Sequence, residues 1–313
     1  LNGLGTLRLL VRGEVPQSQL FDPNRINPKY EFTTLAVEFL CGADRFEYRI
    51  AFDATEIREE QLLKDGEIVL HIQRFKPHFA PRILSASYTK ERLAEILRVE
   101  CSDGERRQTK PMLQRIGLAY PGLHPDLKLA FGFLAHSVKF ARNRDALPLP
   151  IAIAILASAL DQDDKAAVRE ITTMVQRLDI DVQAIDIVRR ELELRDRVSY
   201  PHVGYKNPET GTTEEIQIKT THRDVTGRSI QFDFGEHESA GTQRLAGLVG
   251  LILQALKTGG VLLVDELECS LHPVLMRELV LLFKRRRHNP KGAQLIFTTH
   301  NTDILDDSIL RVS

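Results

Sequence analysis

Two carboxylates, Asp265 and Glu266, follow directly on four apolar residues, Val261 to Val264, in this 313-residue chain. An apolar run of that length suits a central parallel strand, buried on both faces, whose carboxyl end opens into the crevice where α/β proteins bind ligands. There the aspartate suits magnesium, through direct oxygen ligation or a bound water, and the glutamate one residue on suits polarising an attacking water. Taken alone, the pair also reads as a strand running into a solvated acidic turn. Upstream, Glu238-Ser-Ala-Gly-Thr-Gln-Arg244 opens a segment whose apolar residues Leu245, Leu248, Val249, Ile252 and Leu256 recur at helical spacing, with Ser239 placed to cap it. A hydroxyl, a glycine that allows close backbone approach and the positive end of a helix together suit a phosphate. An ordinary capped amphipathic helix would carry the same pattern.

The combination is more specific than its parts. Val264-Asp-Glu-Leu-Glu-Cys-Ser-Leu-His-Pro273 and Gln294-Leu-Ile-Phe-Thr-Thr-His-Asn-Thr302 follow the helix in order. Together they resemble the ATP-binding-cassette ATPases, and within them the stand-alone bacterial AAA-family members that accompany phage-defence and toxin-like effectors, including the overcoming-lysogeny-defect-like group. The resemblance is strong over residues 230 to 313 and holds only in outline before them. It implies that Ser239 and Gly241, with Thr242, contact the γ-phosphate bound by an opposite subunit. It implies that Asp265 is the Walker B aspartate holding Mg2+, Glu266 the catalytic glutamate, and His300 the switch histidine. Ser270-Leu-His-Pro273 resembles the D-loop, which places Ser270 and His272 at the nucleotide interface. The implied fold is α/β, a cassette-like parallel sheet flanked by helices, with an antiparallel β-subdomain and a helical insertion. The implied cofactors are ATP and Mg2+. The implied partners are a second copy of the chain, as a homodimer or higher homo-oligomer, and an effector protein, nuclease or toxin.

No P-loop, with its glycine-rich turn and Lys-Ser/Thr pair, is found in the sequence. Leu1 to Leu10 has two glycines and helical Leu4, Leu7, Leu10 and Val11 spacing, as in the helix that follows the P-loop in this family. The sequence is therefore expected to begin just downstream of that loop and to stop before the family's next strand. A cassette that has naturally lost the loop and serves as a scaffold is the alternative. The glutamine that contacts magnesium in the family has no clear counterpart. Tyr120 stands where it is expected, and Gln114, read more simply as a surface residue, is a weak candidate.

With 42 basic and 43 acidic residues the net charge is −1, which predicts no polyanion partner. Three scattered cysteines, Cys41, Cys101 and Cys269, exclude a disulfide framework or zinc site and suit a reducing cytoplasm; Cys269 reads as a buried filler. The longest uncharged run, Ala146 to Leu160, has 15 residues and is too short to span a membrane, and no signal sequence is visible. Lys284-Arg-Arg-Arg-His288 reads as a solvated helix end complementing the dipole, with no interleaved aromatics to suggest nucleic acid.

Three regions are expected. Residues 1–120 form part of the ATPase lobe: a helix over 1–12, a loop over 13–30, and antiparallel strands over 32–40, 46–52 and 68–72 joined by Cys-Gly-Ala-Asp and Lys-Asp-Gly turns. A further helix is expected over 90–99. Residues 121–200 form a helical arm, with helices over 127–142, 149–160, 165–178 and 182–193. Residues 201–313 form the C-terminal lobe, with strands over 203–205, 215–220 and 229–234 leading to the Ser239 helix. The leading function is an ATPase closing as a head-to-tail dimer and coupled to an effector in antiviral defence. Nucleic-acid handling, as in repair ATPases or overcoming-lysogeny-defect nucleases, and a non-hydrolysing scaffold are the alternatives.

Overall fold

Alternating apolar and polar residues between Thr33 and Phe79 build an antiparallel five-stranded sheet in simple sequential order: β1 (Thr33–Cys41), β2 (Asp44–Phe52), β3 (Ile57–Lys64), β4 (Glu67–Gln73) and β5 (Lys76–Phe79). The computed structural model describes residues 2–21, 32–73, 76–84, 89, 91, 93, 108–119, 124–141, 173, 176, 182–191, 204–206, 213–268 and 273–304. It divides into two compact units, Leu1–Val138 and Lys139–Ser313. The β3–β4 hairpin turns on Asp65 and Gly66, both at positive φ (51° and 83°), the left-handed pair that a two-residue hairpin loop requires.

In the first unit, one face of the sheet buries Phe46, Tyr48, Ile50, Phe52, Leu62 and Leu70 against three helices, α1 (Asn2–Arg12), α3 (Met112–Ala119) and α4 (Pro125–Gly132). A short α2 (Gln17–Leu20) interrupts the expected loop after α1. Strand β3 escapes an alternation reading because Glu60 occupies a core position, with zero exposure. Its carboxylate accepts from Tyr48 Oη, Gln108 Nε2 and the Met112 and Leu113 amides, so it caps α3 from the sheet. Burial pushes the Glu60 carboxyl up, opposed by those donors. Gln114, expected at the surface, is buried, and a Cβ on Gly13 would collide with its amide. The expected helix over 127–142 is shorter: α4 continues as a π-helical turn, Phe133–Ser137, and Val138–Ala141 form strand β6.

In the second unit β6 joins β11 (Val261–Val264) and β12 (Gln294–Phe297) in the order β12-β11-β6, with β11 and β12 parallel. Helix α6 (Ala240–Thr258) precedes β11, and α7 (Pro273–Lys284) makes the crossover to β12 that a parallel pair needs. All four β11 residues are buried, as expected for a central strand. The core combines Ile252, Ala255 and Leu256 of α6, Leu262 and Val264 of β11, and Met276, Leu279 and Val280 of α7. Buried Asn289 sets where β12 starts, donating to Phe283 O and Ala293 O and accepting from the Ala293 amide. The basic residues after α7, 285–287, are exposed.

A second antiparallel sheet holds β7 (Ala184–Glu191), β8 (Gly204–Lys206), β9 (Thr213–Arg223) and β10 (Ser229–Asp233), with the short helix α5 (Phe234–His237) following β10. The helix expected over 182–193 is thus a strand. Ile185, Ile187 and Val188 are β-branched, and eight residue pairs with β9 satisfy the backbone, so non-local pairing overrides an ambiguous short apolar pattern. The helices expected over 90–99, 149–160 and 165–178 fall wholly or almost wholly outside the described residues, as do Tyr120, Cys101 and Cys269. Among the described residues no helix is long and apolar enough to cross a membrane.

Candidate functional site

Where β11 ends, the chain is pinned on both sides. The Asp265 amide donates to Ala141 O of β6 at 3.0 Å, and the Thr298 amide donates to Val264 O at 3.1 Å. The Thr298 hydroxyl then joins the carboxylate pair: it accepts from the Glu266 amide at 2.8 Å and donates to Asp265 Oδ1 at 2.8 Å. Leu267, 1 % exposed, adds a third tie through its amide to Thr298 O at 3.0 Å. These bonds hold Glu266 at φ 52°, a left-handed conformation that costs a non-glycine residue on the order of 1–3 kcal/mol. Strain of this kind turns the chain abruptly, giving neighbouring Asp265 and Glu266 different backbone settings at the strand's carboxyl end.

His300 follows β12 at the same end of the parallel pair. Its amide donates to Glu268 Oε1 at 2.7 Å, and the residue is exposed. Burial raises the Glu268 carboxyl, but the His300 amide, its own amide and the Thr299 hydroxyl outweigh burial and leave it below the usual range. Thus Asp265, Glu266 and His300 stand on adjacent strand ends linked through Thr298 and Glu268. Among the described residues no group of three or more His, Cys, Asp or Glu could enclose a metal. Magnesium held by one or two carboxylates, with phosphate oxygens and waters completing its shell, needs no such enclosure, so Asp265 fits it as a single protein ligand. Ser270 and His272 lie outside the described residues.

The Ser239 segment is built separately within this unit. Ser239 caps α6: its Oγ accepts from the Thr242 amide at 3.1 Å and lies 2.9 Å from Thr242 Oγ1. Leu245, Val249, Ile252 and Leu256 are buried, as the helical spacing requires. The cap is anchored from β9, since Glu238 Oε1 lies 2.6 Å from both Thr220 Oγ1 and His222 Nε2. Gln243 Nε2 adds contacts of 2.9–3.2 Å to the carbonyls of Phe234, Gly235 and Glu238. A Cβ on Gly241 would meet only Ser239 Oγ, at an ordinary 3.6 Å. The fold therefore gives no steric reason for a glycine in the first turn of α6, where alanine is the better helix former.

The carboxylates, the histidine and the cap are legible in the sequence, whereas the residues that position them are not. Thr298 and Glu268 stand inside the two motif phrases, Gln243 beside Thr242. Their roles depend on contacts over 32 or more residues for the first two, which no local pattern announces.

A family model described as "AAA domain, putative AbiEii toxin, Type IV TA system" matches residues 113–306, more than half of the chain. No curated protein matches the sequence. Among solved structures, the Smc head bound to the C-winged helix domain of ScpA is similar with TM-score 0.46 and 11% identity, over 96% of this chain and 79% of that one. The Smc head with an extended coiled coil, bound to the C-terminal domain of ScpA derived from Pyrococcus furiosus, has TM-score 0.42 and 10% identity, over 96% and 80%.

Proposed function

We propose that this chain, which belongs to the AAA-domain family matched over residues 113–306, binds and hydrolyses ATP at a composite site between two copies arranged head to tail. The observation that carries the reading is the Thr298 hydroxyl, which joins Asp265 Oδ1 to the Glu266 amide and so fixes the Asp265 carboxylate and the Glu266 main chain at the end of a buried parallel strand. Asp265 would hold magnesium, which would supply positive charge to offset the phosphates of ATP. Glu266 orients a water on the γ-phosphorus and takes its proton as the P–O bond to ADP breaks. His300 hydrogen-bonds the γ-phosphate. Ser239, Gly241 and Thr242 of the opposite copy close over the same phosphate from the positive end of α6, with Ser270 and His272 beside the interface. Loss of the γ-phosphate removes the charge that bridges the copies and lets them part.

In sites of this kind a P-loop also grips the phosphates, and the assays use the complete gene product. The nucleotide cycle drives a partner effector, a nuclease or toxin, in antiviral defence. Mixing two inactive variants tests the composite site. A Ser239→Arg copy retains its own carboxylates, and a Glu266→Gln copy retains its own cap. Turnover that appears only on mixing supports a shared site; full activity of the Ser239→Arg copy alone refutes it.

A further inference from the structure

The turn carrying the carboxylates is tied to the chain after β12 in two places: at Thr298, where three bonds meet, and through the Glu268 carboxylate. The Glu268 tie is the one that reaches His300 among the described residues: its Oε1 accepts from the His300 amide at 2.7 Å, and the carboxylate also takes the Thr299 hydroxyl. Leu267, 1 % exposed, anchors the turn just before Glu268, so the carboxylate projects from a fixed base rather than from a free loop. We propose that Glu268 is a positioning residue that holds the main chain of His300 against the Asp265–Glu266 turn, so that the phosphate-sensing imidazole and the water-activating carboxylate keep one shared geometry. This inference rests on the nucleotide-site reading above and adds to it the device that couples its two halves.

The two Glu268 oxygens differ, and that difference supplies a discriminating variant. Oε1 carries the bond to His300, whereas Oε2 is buried and has no hydrogen-bond partner among the described residues. Glutamine can keep its carbonyl oxygen at the Oε1 position and place its amide where no acceptor or donor is engaged. Alanine removes the tie altogether. By contrast, a glutamine at Glu266 abolishes proton acceptance, so the two acidic residues of one short turn are told apart by the same isosteric change.

The test measures steady-state ATP turnover of the complete gene product for wild type, Glu268→Ala and Glu268→Gln, together with amide hydrogen exchange in peptides covering 297–304. Glu268→Ala is expected to lower kcat roughly ten- to hundredfold, the worth of one charge-assisted hydrogen bond, with KM changed less than about threefold. Faster exchange at the His300 amide accompanies it. Glu268→Gln is expected to recover turnover to within about fivefold of wild type and to restore the protection. A general loss of folding in the alanine variant would leave the glutamine variant and its exchange pattern as the deciding comparison, and unprotected His300 there overturns the proposal. An active wild type whose Glu268→Ala form turns over equally fast overturns the proposal alone. A wild type that binds and hydrolyses no ATP overturns the nucleotide reading, and this inference with it.

Discussion

Replacing Thr298 with valine removes one hydroxyl while keeping the β-branched shape at the end of β12. Two bonds disappear together: the one accepting from the Glu266 amide and the one donating to Asp265 Oδ1, both 2.8 Å. Their surroundings are exposed, so the low end of each range applies: about 0.5 kcal/mol for the neutral bond and about 1.5 kcal/mol for the charge-assisted one. Their sum, about 2 kcal/mol, corresponds to roughly a 30-fold change in rate if it is expressed in the transition state. The Leu267 tie to Thr298 O uses main-chain atoms and survives, so the fold and ATP binding should persist. Released from its hydroxyl, Glu266 can relax from φ 52° toward an unstrained conformation, away from the position that orients water. ATP turnover and nucleotide affinity of the complete gene product provide the assay. The expected result is kcat lowered about 30-fold, Kd within about threefold, and recovery with Thr298→Ser, which restores the hydroxyl. Turnover of Thr298→Val within twofold of wild type would refute the reasoning.

Gly241→Ala should leave thermal stability equal or slightly raised, since alanine favours helix and meets only a 3.6 Å contact, yet lower ATP-dependent dimerisation and turnover; lost stability with intact turnover would contradict this. Glu60→Gln should destabilise the first unit by about 1–3 kcal/mol, because Gln108 can flip its unpartnered Oε1 toward the new amide but the Met112 amide is left without an acceptor. Urea denaturation and exchange at Met112 report it. Asp53 accepts from Thr55 and Glu56 amides, Thr55 Oγ1 and Arg58 Nε; burial raises its carboxyl, but those donors outweigh burial and leave it well below the usual range. Its depressed folded value means its contribution is complete above the unfolded value, about 3.9, and is lost as pH falls below it. Asp53→Asn should therefore flatten the acid limb of the stability profile, measured from pH 7 to 2.

Where local chemistry and tertiary packing agree, the sequence is transparent. The β11 run, the Ser239 cap, the α6 spacing and the Asp65-Gly66 hairpin turn each follow from side-chain type and backbone preference, and each forms as expected. Strand β7 does not, because Ala184 to Glu191 carries apolar residues compatible with either period, and only its pairing with β9 selects the strand. Strand β3 is hidden by Glu60, a charged residue made acceptable in the core by four donors that arrive from β2, from Gln108 and from the start of α3. The site divides in the same way. Asp265, Glu266 and His300 are visible as residue types at strand ends, whereas Thr298 and Glu268 gain their roles only when two strands come side by side.

The most direct test of the central claim is single-turnover ATP hydrolysis by the complete gene product carrying Glu266→Gln, with the oligomeric state followed by sedimentation. Removal of a positioned general base should lower the hydrolysis rate by about 10²–10⁴ while ATP binding persists and the ATP-bound dimer accumulates. Hydrolysis at a near wild-type rate, with no accumulation of dimer, would contradict the assignment of Glu266 and of the site built around it.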